Sequence, residues 1–166
     1  RVLDDALVIA ADFRIDSAGH MRLAVFPRPE VGSQRIGRVV QRLCEIETYK
    51  SMAMLGLTEA RGLSSQMKLA ESKLSNILAD MATAESDPAN VLTQLLAVSG
   101  QVENIGAQSA YRFAATGAYE QIVNQRIDVL REERFEGRQT FGEFMMRRFD
   151  PAMRTVNATE RRLQKM

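Results

Sequence analysis

Proline is scarce in this chain, and where it stands governs what the rest can become. The four prolines occupy positions 27, 29, 88 and 151, and a proline in a helix interior costs about 3 kcal/mol. Two long stretches, between Pro29 and Pro88 and between Pro88 and Pro151, are therefore open to extended helices. Inside the first, Leu63, Met67, Ala70, Leu74, Ile77, Met81 and Ala84 follow an unbroken alternation of four-residue and three-residue steps. Val91, Leu95, Val98, Val102 and Ile105 repeat that alternation in the second. Such spacing is the seam of a coiled coil. Upstream, Val39, Leu43, Ile46, Ala53 and Leu57 extend the stripe past Lys50, Gly56 and Gly62. A glycine inside a helix costs about 1 kcal/mol, so residues 56–62 are read as a kink rather than a turn.

The pattern predicts a mainly α fold: a long antiparallel, coiled-coil-like helical hairpin plus a C-terminal helix, with a small N-terminal β-hairpin. The helices are expected at about 33–85, 89–135 and 139–166, within a helical domain over 31–166. Ser86-Asp87-Pro88 supplies the turn, with Asp87 as the N-cap and Pro88 in the first helical position. A tight turn there pairs residues whose numbers sum to about 174, which sets the small residues from Gly106 to Ala118 against Gly56, Gly62, Ser64 and Ser65. The same register brings Arg112 near Glu59, and Arg126 near Glu45 and Glu47, as ion pairs. Phe135-Glu136-Gly137 breaks the second helix, and Thr140-Phe141-Gly142-Glu143-Phe144 opens the last, which Pro151 either kinks or restarts. Phe141, Phe144, Met145 and Phe149 are read as core.

Before the first helix the period changes. Leu7, Ile9, Ala11, Phe13 and Ile15 alternate with Val8, Ala10, Asp12 and Arg14; after Asp16-Ser17-Ala18-Gly19, Met21, Leu23 and Val25 alternate again. Period two marks strands, so residues 1–30 are read as a β-hairpin, the remnant or edge of an N-terminal α/β region. Two strands alone are marginal in water, so their apolar face needs helices or further strands to rest on.

Composition removes most named chemistries. At 166 residues the chain is one domain's worth, and 22 basic against 21 acidic side chains leave +1, which gives no general attraction to nucleic acid. One cysteine excludes a disulfide framework, and a single histidine, His20, excludes multi-imidazole zinc or di-iron centres. Cys44, inside an apolar helical stripe, is expected to be a buried thiol, and His20 to be solvated in its turn. No glycine-rich phosphate loop follows a strand, and no nucleophile motif is present. Glu45 and Glu47, two apart on a helix and so about 200° around it, cannot share a proton or a metal. Glu132, Glu133 and Glu136 are the one weak candidate for a divalent cation.

The near-neutral total conceals a basic end. From residue 138 onward, Arg138, Arg147, Arg148, Arg154, Arg161, Arg162 and Lys165 outnumber Glu143, Asp150 and Glu160. Beside an anionic leaflet each such cation is worth on the order of 1 kcal/mol. No apolar run approaches the roughly 18 residues of a membrane span, and the non-Met start and the uncapped end read as a piece of a longer protein.

The stretch Gly37-Arg38-Val39-Val40-Gln41-Arg42-Leu43-Cys44-Glu45-Ile46-Glu47-Thr48-Tyr49-Lys50 resembles the signature of a bacterial family, domain of unknown function 3422. Tyr111-Arg112-Phe113-Ala114-Ala115-Thr116-Gly117-Ala118-Tyr119 and Leu130-Arg131-Glu132-Glu133-Arg134 through Gln139-Thr140-Phe141-Gly142-Glu143-Phe144 extend the likeness, with Pro151-Ala152-Met153-Arg154-Thr155 beyond. The resemblance implies a longer, membrane-anchored parent with an N-terminal α/β region and a pair of C-terminal membrane helices. That layout is similar to the layout of pentameric magnesium channels. It implies no activity.

The sustained seam and the sparse catalytic equipment lead to a non-enzymatic helical scaffold or oligomerisation domain. It would need no cofactor, associate with itself or a protein partner, and reach the cytoplasmic face of a bacterial inner membrane through segments outside these residues. The alternatives are a divalent-cation-sensing regulatory domain of a transporter-like protein, or an enzyme whose site a missing N-terminal region completes. Arg38, Arg42, Glu45, Glu47, Tyr49, Arg112, Tyr119 and Arg126 are the motif residues expected to hold the helices in register.

Overall fold

The computed structural model describes residues 1–82 and 87–166. Its elements are β1 (Leu7–Ile15), β2 (Met21–Pro27), α1 (Ser33–Met81), α2 (Pro88–Leu130) and α3 (Phe141–Leu163). The fold is a long pair of packed helices with a third helix and a two-stranded antiparallel sheet at the N-terminus. The residues divide into two compact units. One comprises Arg1–Met52 with Ala118–Pro151, the other Ala53–Gly117 with Ala152–Met166.

In the first unit β1 and β2 pair from Leu7 opposite Pro27 to Ala11 opposite Leu23, and the register then shifts before Ile15 meets Met21. The expected alternation fails at that bulge: Phe13 takes a positive φ of 52°, and Ile15 ends 76% exposed instead of sharing the inner face. The connecting turn is held by Asp16, whose Oδ1 accepts from the amides of Ala18 and His20 at 3.0 and 2.9 Å, with Gly19 at φ 87°. Val39, Leu43 and Ile46 of α1, Val123 and Leu130 of α2, and Met145 and Phe149 of α3 form the buried helical side of this unit. Cys44 is exposed, against expectation. It follows Leu43 by one residue, about 100° around the helix, while the three- and four-residue steps give the buried positions to Leu43 and Ile46.

The second helix ends at Leu130 rather than near residue 135. The reason is a competing partner. The Leu130 carbonyl accepts from the Leu3 amide at 2.9 Å, Arg131 turns to a left-handed φ of 47°, and the Glu133 amide bonds the Arg1 carbonyl at 3.0 Å. Leu3, Asp4 and Asp5 themselves have φ of 53°, 57° and 61°, a left-handed turn that costs L-residues roughly 1–2 kcal/mol each. Arg28 and Arg35 brace it: Arg28 Nε donates to the Asp5 carbonyl at 2.7 Å and its guanidinium pairs with the Asp5 carboxylate, while Arg35 Nη2 donates to the Leu3 carbonyl at 3.1 Å.

In the second unit the seam is filled by Leu63, Met67, Ala70 and Ile77 from α1 and by Val98 and Ile105 from α2, all buried. Leu74 and Leu95 are half-buried, and Met81, the last seam residue, is 49% exposed. Burial therefore fades toward the turn between α1 and α2. The turn's Ser86 and the seam position Ala84 lie outside the described residues. Asp87 does cap α2, its Oδ1 accepting from the Ala89 amide at 3.1 Å. α1 continues as helix through Gly56 and Gly62. A Cβ at Gly56 would stand 2.2 Å from Thr116 Oγ1, so this glycine lets the two helices approach; Gly62 has open space around its Cα. Small residues thus meet closely at Gly56, not along the whole stretch. Ala152, Met153, Val156 and Leu163 of α3 complete this core, and Arg162 forks onto the Glu71 carboxylate. Helix α3 runs on through Pro151, which cannot supply an amide to the carbonyl four residues back.

Candidate functional site

Two places in the first unit gather the candidate side chains. The earlier is the segment after Gly37 on α1. Glu45 accepts from Gln41 Nε2 at 2.8 Å and pairs with Arg126 of α2, and these two contacts hold its carboxyl below the ordinary range. Tyr49 and Tyr119 stack with ring centroids 5.7 Å apart. Lys50 pairs with Glu47 Oε2, while Glu47 Oε1 is buried without a hydrogen-bond partner. Of the motif residues, Glu45, Arg126, Tyr49 and Tyr119 are thus joined two by two between α1 and α2. Glu47 turns to its own helix neighbour instead of Arg126. Arg38 is exposed and Arg42 half-buried, lending only its charge to the Glu45 environment.

Arg112 belongs to the other unit and forms no ion pair with Glu59 among the described residues. Its backbone carbonyl accepts from Thr116 Oγ1 at 2.8 Å. Arg112 itself is half-buried.

The later place is a groove of about 940 Å³ between β1 and the chain from Glu132 to Phe144. Its aromatic end is built by Phe13, whose ring stacks on Phe144 at 4.2 Å and lies 5.3 Å from Phe141. Its other wall is organised by the start of α3. Thr140 Oγ1 accepts from the Glu143 amide at 3.1 Å and the Glu143 carboxylate accepts from the Thr140 amide at 3.2 Å, a reciprocal capping box. Arg134 donates to the same Glu143 at 2.7 Å, and together these contacts hold its carboxyl low.

Glu132 reaches across to accept from the Gly142 amide at 2.8 Å. Burial raises its pKa, and the Gly142 and Thr140 hydrogen bonds oppose that rise without cancelling it. Gly142 is required here, because a Cβ would stand 2.7 Å from the Glu132 carboxylate and 2.8 Å from Ile127. Glu132 is therefore occupied as a helix cap, while Glu133 and Glu136 lie exposed. Among the described residues no three His, Cys, Asp or Glu side chains are arranged to hold a metal ion. The Thr140-to-Glu143 spacing announced the cap; nothing local announced the role of Glu132, which depends on a loop folding back.

A family model described as "Protein of unknown function (DUF3422)" matches residues 1–166. No curated protein and no solved structure matches the chain. No helix among the described residues is long and apolar enough to cross a membrane.

Proposed function

This chain belongs to the DUF3422 family of proteins of unknown function, and on that premise we propose that it is a non-enzymatic helical scaffold that assembles with a second copy of itself. The observation that carries this reading is the apolar surface left on the helical pair near its turn. Leu78 and Met81 of α1 and Leu92 and Leu96 of α2 are 49–64% exposed. Continuing the register of the 3.1 Å Lys73–Gln101 hydrogen bond puts Leu78 level with Leu96. Residues three or four apart share a helix face, so each helix presents a pair. From Leu74 to Val102 the described residues include only two charged side chains, Asp80 and Asp87. Four exposed large apolar side chains, with so little charge among the described residues to repel a copy, support an association site here.

The same reading holds the scaffold at the cytoplasmic face of a bacterial inner membrane by segments other than residues 1–166, and the basic residues of the C-terminal stretch support it. The test is absolute mass by light scattering after size exclusion, across a concentration series, in chelator and in magnesium. The expected result is a metal-indifferent oligomer that the double variant Leu92→Lys, Leu96→Lys reduces to monomer with unchanged helicity. A wild-type chain that stays monomeric throughout overturns the reading, and one that assembles only in magnesium favours the cation-sensing alternative.

A further inference from the structure

We draw no further inference here: the strongest candidate, the groove between β1 and the chain from Glu132 to Phe144, carries nothing, because Val2 lies antiparallel to Leu7 at its mouth and nothing in the structure shows what covers it.

Discussion

In the unit that holds the seam, Leu63, Met67, Ala70 and Ile77 are buried by one rule applied every three or four residues. In the unit that holds the strands, the chain is directed by contacts that occur once: the Leu3 amide on the Leu130 carbonyl, Glu132 on the Gly142 amide, Arg28 on a left-handed turn. The seam spreads its stability over many equivalent side chains, each contributing through area removed from water. The strand-bearing unit concentrates it in polar groups that are costly if left alone. Substitutions that act on area should therefore hurt the seam most, and substitutions that move one atom should hurt the other unit most.

The largest effect is expected at Met67, fully buried in the seam. Met67→Ala should lower stability by about 2–5 kcal/mol, read as a shift in the urea midpoint followed by circular dichroism. A loss under about 1 kcal/mol would mean the seam collapses around the gap, and the unit would then be less tightly packed than its burial indicates. Next is Gly142→Ala. One methyl there displaces the Glu132 carboxylate and meets Ile127, so about 1–3 kcal/mol should be lost. The same one-atom change inside the seam unit sharpens the contrast. Gly56→Ala clashes with Thr116 and should cost a similar amount. Six residues on, Gly62→Ala enters open space within a helix and should add about 0.5–1 kcal/mol. If Gly62→Ala destabilises instead, the helix there needs glycine for a reason other than space.

What the residues announced follows the same division. Periodicity named the seam, and it carried the register well enough to bring Arg126 to Glu45. It named the Asp87 cap because capping is local. It failed where a distant segment intervenes. Leu130 ends its helix because Leu3 takes the carbonyl, and no propensity near residue 130 records that. Phe13 breaks the alternation through a bulge and an uncommon φ, which strand periodicity assumes away. Cys44 was misplaced because an apolar neighbourhood was read as a face; one residue of offset turns a side chain from core to solvent on a helix. The candidate site was legible only in its parts. The aromatic residues and Glu132 stood out singly, but the groove exists because β1 and the loop before α3 come together.

The smallest effect is a change of slope with pH rather than of level, and it isolates Glu132. Its carboxyl is raised by burial, so the folded state binds this proton more tightly than the unfolded chain does. Stability from this group is then full below the unfolded value and declines as pH rises from the ordinary glutamate range through the raised folded value. Glu45, Glu71 and Glu143 work in the opposite sense: their folded pKa values are depressed, and their contribution is lost as pH falls through them. Glu132→Gln keeps an acceptor for the Gly142 amide and removes the charge whose burial is unfavourable. Its stability at neutral pH should match or exceed the parent's, and the decline above the glutamate range should disappear while the acid-side loss remains. Urea titrations of parent and variant at a series of pH values read both limbs. Should the variant keep the parent's decline, the proton responsible sits elsewhere, and Glu132 stabilises α3 as an ordinary charged cap at the positive end of the helix dipole.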